Sequence, residues 1–366
     1  MLRWHNLPDG VETGQIAPHS RVLIISDAWR PQVNGVVRTL ATLLQELRAM
    51  GVVAEVIGPD QFRTLPCPTY PDIRLCVLPR RKLSRLMEDF APDALHIATE
   101  GPLGIAARKL AKSQGWIFTT AFHTRFPEYL AARTRVPTRL SYAWLRRFHN
   151  AGHGLMVATE SLRQELAARG FSHLRAWSRG VDLAQFKPEP REAWEGLARP
   201  VFLYVGRVAV EKNIAAFLEL DLPGSKVVVG DGPQVGSLKR NFPDVFFAGA
   251  KHGEALSRAY AGADVMVFPS LTDTFGLVML ESLACGTPVA AFPVTGPKDV
   301  LAAGGAAVGC VHADLRHAAL AALEHGDRVA CREYAETFSW QACAERFLAN
   351  LVPIRHGMEL VSYAAE

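Results

Sequence analysis

The chain of 366 residues contains no run approaching 18 consecutive apolar positions. No segment is therefore expected to span a bilayer, and any membrane contact would be peripheral. It has no Asp-x-Asp and no His-Glu-x-x-His, so metal-bridged diphosphate chemistry has no obvious ligand set, and neither a metal nor another cofactor is implied. Its six cysteines, at 67, 76, 285, 310, 331 and 343, form no Cys-x-x-Cys pair and keep no regular spacing. That predicts reduced thiols in a cytoplasmic protein rather than a disulfide frame or zinc site. The opening Met-Leu-Arg-Trp-His-Asn-Leu-Pro-Asp-Gly lacks the apolar centre of a signal peptide. Internal repeats and low-complexity tracts are absent too.

What is present describes a globular α/β protein. Apolar residues make up 49% and charged residues 21%, enough core to exclude a disordered chain, and the length predicts two domains. Charge is unevenly placed: residues 1–186 carry 24 Lys/Arg against 15 Asp/Glu, a net +9, and residues 187–366 carry −5. A basic first half suits an anionic surface or partner, or simply a solvated face.

After a polar leader at 1–20, apolar runs at 22–25, 52–57, 73–78, 94–97, 117–121 and 154–157 read as strands. Between them lie helical patterns, the first carrying Val36, Val37, Leu40, Leu43, Leu44 and Leu47 up to Gly51, others near 102–114, 138–150 and 160–169. A linker is expected from Lys187-Pro-Glu-Pro-Arg191 to Arg199-Pro200. A second series follows, with strands at 201–205, 226–229, 245–247, 265–268 and 289–292, then a final helix near 340–351. Such alternation predicts two facing, doubly wound, Rossmann-like domains. The expected division is 1–186 for a first domain, 187–339 for a second, and 340–366 for a helix and loose tail returning toward the first.

The segment Pro269-Ser-Leu-Thr-Asp-Thr-Phe-Gly-Leu-Val-Met-Leu-Glu-Ser-Leu-Ala-Cys-Gly-Thr-Pro288 carries the chemistry most densely. It follows the strand 265–268, and in an open α/β sheet ligands bind at strand carboxyl ends. Phe275-Gly276-Leu277 would open a helix with bare N–H groups suited to an anion. Glu281, a helical turn further on, could accept from a vicinal diol. Upstream, Val205-Gly-Arg-Val-Ala-Val-Glu-Lys-Asn213 sets Arg207 and Lys212 about a strand-to-helix turn, where two cations can neutralise a diphosphate leaving group. The plainer reading is a pair of solvated surface charges. Asn34-Gly35 lies between the first strand and its helix, either as an ordinary turn or as a close backbone approach to a ligand. His123 follows the 117–121 strand, where a lone histidine is more often a satisfied structural residue than a ligand contact. Gly230, Gly232 and Gly236 imitate a dinucleotide fingerprint, but the spacing is G-x-G-x-x-x-G and no acid ends the next strand; a dehydrogenase is not expected.

Gly206-Arg207 with Glu211-Lys212-Asn213, and Asp273-x7-Glu281 with Phe275-Gly276, resemble the motifs of the retaining, nucleotide-sugar-dependent glycosyltransferases of family 4, which have the GT-B fold. Trp29-Arg-Pro-Gln-Val-Asn-Gly-Val-Val37 resembles that family's first glycine-bearing loop. Phe122-His-Thr-Arg-Phe-Pro-Glu-Tyr129 resembles its donor-site histidine segment, and Arg179-Gly-Val-Asp-Leu-Ala-Gln-Phe-Lys-Pro188 the segment closing the first domain. The resemblance runs from about Arg21 to Leu351 and looks closest to the branch of sulfoquinovosyl-diacylglycerol synthases and lipid or phosphatidylinositol mannosyltransferases. One position departs, since the family's usual first Glu is here Asp273. The resemblance implies transfer of a hexose from a UDP- or GDP-linked donor, with retention and without metal, to a hydroxyl, a membrane lipid such as diacylglycerol coming first. Arg207, Lys212, Asp273 and His123 would act in catalysis, the histidine against the donor sugar. Asn34, Gly35, Gly232, Phe275, Gly276, Leu277 and Glu281 would bind the donor. A soluble sugar acceptor, a nucleotide-sugar epimerase and a non-catalytic nucleotide-sugar-binding protein are the alternatives.

Arg133-Thr-Arg-Val-Pro-Thr-Arg-Leu-Ser-Tyr-Ala-Trp-Leu-Arg-Arg-Phe148 holds five arginines, no acid and three aromatics. Arg139, Arg146 and Arg147 would meet anionic lipid if this helix lies on a membrane; Arg80-Arg-Lys-Leu-Ser-Arg85 adds a second basic cluster. Against that, Leu140, Trp144 and Phe148 recur at helical spacing and could all face the core. Nucleic acid is not an expected partner, because no binding motif accompanies the charge.

Overall fold

The structure, a computed structural model, describes residues 19–32, 34–67, 70–134 and 136–354. The leader through residue 18, Val33, Arg135, the tail 355–366 and the side chain of Arg133 lie outside the described residues.

The first unit runs β1 (Arg21–Ile25), α1 (Gly35–Ala49), β2 (Val53–Ile57), β3 (Thr64–Cys67), β4 (Tyr70–Cys76), α2 (Arg80–Phe90), β5 (Ala94–Ile97), α3 (Pro102–Ser113), β6 (Thr119–Ala121), α4 (Phe126–Thr134), α5 (Thr138–His149), β7 (Leu155–Val157), α6 (Glu160–Ala168) and β8 (Leu174–Ala176). Six strands form one parallel sheet in the order β2-β1-β5-β6-β7-β8. Val22 through Ile25 are wholly buried, as a strand must be when helices cover both faces. Helix α1 forms because Val37, Leu40, Leu43 and Leu47 fall on one buried face. The segment 73–78, expected as another parallel strand, instead forms an antiparallel ribbon of β4 with β3 outside the sheet.

Residues 187–200 carry neither helix nor strand, yet they are fastened down. Trp194 is buried and donates from Nε1 to the Ala259 carbonyl at 2.9 Å, and Arg191 and Arg199 each pair with Asp264 at 2.7 Å.

The second unit runs β9 (Val201–Val205), α7 (Ala215–Leu218), β10 (Ser225–Val229), α8 (Val235–Asn241), β11 (Phe246–Gly249), α9 (Gly253–Ala261), β12 (Val265–Phe268), α10 (Leu277–Ala284), β13 (Val289–Ala291), α11 (Pro297–Leu301), β14 (Gly309–Val311), α12 (Leu315–His325) and α13 (Arg328–Glu336). Its parallel sheet has the order β11-β10-β9-β12-β13-β14. The last helix, α14 (Trp340–Asn350), crosses back: Cys343, Ala344 and Phe347 pack with Leu40, Leu43 and Trp177 of the first unit. Trp177 Nε1 donates to the Cys343 carbonyl at 3.2 Å. Among the described residues no helix is long and apolar enough to cross a membrane.

These are two facing α/β units of the double Rossmann-like kind. In each, the strand order reverses beside its first strand, at β1/β5 and at β9/β12. At such a switch point the flanking loops diverge and leave a crevice. The loops that carry the motifs follow β1, β9 and β12, so both crevices are lined by them.

Candidate active site

The β9 loop is built onto its neighbour by glycine. An ideal Cβ on Gly230 would sit 1.8 Å from the Gly206 carbonyl oxygen, and one on Gly232 would sit 2.4 Å from that of Val208. Val208 N donates to Asp231 O at 2.8 Å, and Gln234 N to Val208 O at 3.1 Å. The spacing that imitates a dinucleotide fingerprint thus has a packing cause: two loops share backbone hydrogen bonds at a distance only glycine allows. Arg207 stands exposed at this edge, its carbonyl accepting from the Tyr204 hydroxyl at 2.8 Å.

Glu211-Lys212-Asn213 then ties the β9 loop to the β12 loop residue by residue. The Glu211 carbonyl accepts from Thr272 Oγ1 at 3.3 Å, and Asn213, in the left-handed region at φ 53°, donates to the Pro269 carbonyl at 3.1 Å. Lys212 Nζ bridges both Asp273 oxygens, at 2.6 and 2.9 Å. Burial works against the Lys212 charge, but the adjacent Asp273 carboxylate outweighs it and holds the ammonium above the usual lysine range.

Helix α10 starts at Leu277 with Gly276 at φ 87° as its cap and no side chain covering the first N–H groups. A Cβ at Gly276 would come within 2.8 Å of Met279 Cε and 3.0 Å of Phe268 Cζ, so this turn also demands glycine. Phe275 is buried in the second core.

Glu281 is 3% exposed and both its oxygens are engaged. Tyr260 donates to Oε2 at 2.9 Å from within the same unit, and Arg38 of α1 reaches Oε1 at 2.6 Å from the other unit. Arg38 was not singled out in the sequence, although a cation in the first turn of a helix opposes the helix dipole and so signals an acidic partner. A cavity of about 240 Å³ adjoins this pair, lined by Arg38, Thr42, Gln45, Asp182, Glu281 and Trp340 among others.

On the first unit, Asn34 caps α1, its side-chain oxygen accepting from Val36 N and Val37 N at 3.0 Å each. Gly35 faces the second unit, where a Cβ would lie 4.0 Å from Leu277 Cδ1. The buried Asp27 carboxylate accepts from Leu103 N at 2.7 Å and Gly104 N at 3.1 Å, joining the β1 and β5 loops. His123 sits where the units meet: its carbonyl accepts from Thr274 Oγ1 at 2.7 Å, one residue from Asp273. Arg125 to Thr295 at 3.0 Å and Ser161 N to Asp299 at 3.0 Å close the seam further along. The structure therefore gathers His123, Lys212, Asp273, Phe275, Gly276, Leu277, Gly35 and Glu281 at one seam, with Arg207 and Gly232 on the adjoining loop edge. Among the described residues no group of three or more His, Cys, Asp or Glu side chains is placed to hold a metal.

Arg139, Arg146 and Arg147 lie elsewhere, exposed on α5. Of the three apolar residues that the sequence spaced at helical intervals, only Phe148 is buried; Leu140 is 58% and Trp144 43% exposed. The outer face of α5 therefore joins cations to bare apolar side chains.

Two facing doubly wound units with glycine-bounded cationic and acidic loops at their switch points have the GT-B arrangement of nucleotide-sugar-dependent glycosyltransferases. Comparison with known proteins agrees. Residues 33–185 match the model of Glycosyltransferase Family 4 and residues 199–325 that of Glycosyl transferases group 1. The GDP-mannose-dependent alpha-mannosyltransferase of Mycobacterium tuberculosis is 30% identical over 77% of this chain and 81% of its own length. The sulfoquinovosyl transferase of Arabidopsis thaliana is 28% identical over 78% and 61%. Sucrose-phosphate synthase from Thermosynechococcus elongatus shares the fold, with a TM-score of 0.69 at 20% identity over 90% of this chain and 97% of that one. The chain belongs to the family 4 glycosyltransferases.

Proposed function

We propose that this enzyme moves a hexose from a nucleotide diphosphate sugar to the hydroxyl of a membrane lipid, with retention and without a metal ion. Residues 1–186 form the acceptor side in this reading, residues 187–339 the donor side, and 340–366 the return to the first domain. The observation that carries it is the meeting of the β9 and β12 loops at a switch point, with Lys212 paired to Asp273 one residue from the Thr274 contact to His123 of the first unit.

Arg207, Lys212 and the open start of α10 would take the charge of the departing diphosphate. Neither acid of the β12 loop and α10 stands free as a nucleophile, because Asp273 is committed to Lys212 and Glu281 to Tyr260 and Arg38. Front-face attack fits this arrangement: the leaving phosphate oxygen takes the acceptor proton, and the protein supplies position and charge. Since Tyr260 is buried beside Glu281, a ribose diol would take Oε1 by displacing Arg38.

The lipid acceptor is supported by the outer face of α5 and by what relatives are named for. These include a phosphatidylinositol dimannoside mannosyltransferase at 28% identity and an alpha-monoglucosyldiacylglycerol synthase at 26%. Arginines with an exposed Trp suit the headgroup region of anionic lipid, which would place the enzyme peripherally on the cytoplasmic face of a membrane. The test is a panel of nucleotide sugars, GDP-mannose and UDP-glucose first, against diacylglycerol vesicles and water-soluble acceptors, with products weighed by mass spectrometry. A glycolipid is the expected product; transfer only to soluble acceptors would overturn the lipid assignment.

A further inference from the structure

Arg179 is 4% exposed and, among the described residues, has no carboxylate within ion-pair distance. Its guanidinium is held on three sides. Nη1 donates to the carbonyls of Trp177 at 2.7 Å and Ser178 at 3.1 Å, and its central carbon lies 4.1 Å from the Trp177 ring centre. The remaining arm, Nη2, donates to His123 Nδ1 at 3.3 Å. The His123 ring stands edge-on to the same indole at 5.7 Å. On its far side Nε2 is sealed from solvent and has no hydrogen-bond partner among the described residues.

An arginine carries only donors, so the nitrogen that it meets must offer a lone pair. We propose that Arg179 is a positioning residue that keeps the His123 proton on Nε2, so that His123 meets an oxygen of the donor sugar as a neutral hydrogen-bond donor and never as a base. Protonating Nδ1 would set two N–H groups against each other and add a second positive charge beside a buried cation. The other groups that bear on this ring are His96 and His149, the latter bonded to Glu100 at 2.9 Å through Nε2. Burial first, then Arg179, His96 and His149, hold the His123 imidazole well below the usual histidine range. A buried donor without an acceptor is costly, and a hydroxyl oxygen of the sugar supplies the acceptor once the two units part enough at the seam to admit it. The sugar contact rests on the proposed donor site; the tautomer does not, since it belongs to the protein alone.

The test reads nitrogen-15 resonances of the histidine rings in the unliganded full chain between about pH 5 and pH 8, the range in which an ordinary imidazole titrates. The His123 signals are assigned by their loss in His123→Asn. In native protein Nδ1 is expected bare and Nε2 protonated throughout. Arg179→Met should release the lock, giving exchange between the two neutral tautomers. Arg179→Lys, which keeps a donor, should hold the native pattern and guards against a Met variant that does not fold. A proton on Nδ1 in native protein, a native ring that titrates in this range, or an unchanged pattern in Arg179→Met would overturn the proposal. Failure of sugar transfer with the lock intact would instead count against the donor reading.

Discussion

Lys212 and Asp273 show how much one residue's role depends on a partner far away in the chain. Their bidentate pair at 2.6 and 2.9 Å fixes the ammonium at the loop edge. Lys212→Ala or Arg207→Ala should each cost about 2–4 kcal/mol of barrier, the scale of one preorganised charge donor, read as a fall in kcat with the melting temperature held. Asp273→Asn should also lower kcat, because Lys212 loses the carboxylate that places it. His96 gives a pH prediction. Burial, with Arg179 and His149 nearby, takes its imidazole from 6.5 down to about 3. The unfolded chain protonates this ring below about pH 6.5 while the native chain does not, so stability is full above that pH and falls as pH drops. The loss is about 1.4 kcal/mol per pH unit, and denaturant titrations at pH 7 and pH 5 should show it shrink in His96→Asn. From sequence, residues 207, 212, 273 and 281 could be proposed as two local pairs, and the structure adds that Lys212 and Asp273 meet. Arg38 and Arg179 were not given roles, since their partners, Glu281 and His123, lie in distant segments.

At the scale of elements, strands β9 and β12 fell where their apolar runs predicted, because a fully buried strand leaves a continuous apolar stretch. Helix α2 was read only as a cluster of cations, since Arg80, Arg81, Lys82 and Arg85 obscure the buried row Leu83, Met87 and Phe90. Strands β8 and β14 are edge strands that are only partly buried, so they leave no continuous apolar run to read. The loops, not the strands, decide the site, and glycine decides the loops. Gly230→Ala would drive a Cβ into the Gly206 carbonyl, so it should destabilise the protein by more than about 3 kcal/mol and separate the β9 and β10 loops; melting and kcat should both fall. Helix α5 carries the element-scale test of the membrane reading. Replacing Arg139, Arg146 and Arg147 with Ser should release the enzyme from anionic vesicles in sedimentation, each arginine contributing about 1 kcal/mol. High salt should do the same to native protein. Because Arg146 also donates to the Arg169 carbonyl at 3.0 Å, the Arg139 and Arg147 double variant should show most of the effect without that loss.

At the scale of the whole molecule, two switch points face one another across the seam. Sequence alternation predicted two doubly wound units, but the strand orders that create those crevices depend on which strands pair, and no periodicity encodes that. The seam is closed by Thr274 to His123, Arg125 to Thr295, Ser161 to Asp299 and Arg38 to Glu281. Of these, only the last engages a group proposed to hold the ribose. Arg38→Ala should therefore tighten binding of free nucleoside diphosphate several-fold, about 1 kcal/mol for a pair whose arginine end is 42% exposed. Glu281→Gln should weaken it by about 1.5–3 kcal/mol, the worth of a hydrogen bond to a charged group. Calorimetry on both variants should give opposite signs. The most direct measurement of the central account is a proton NMR time course of transfer from an α-linked nucleotide hexose to a lipid hydroxyl in the presence of EDTA. The account predicts an α-linked glycolipid accumulating as donor is consumed; a β-linked product, or turnover that requires added Mg²⁺ or Mn²⁺, would contradict it.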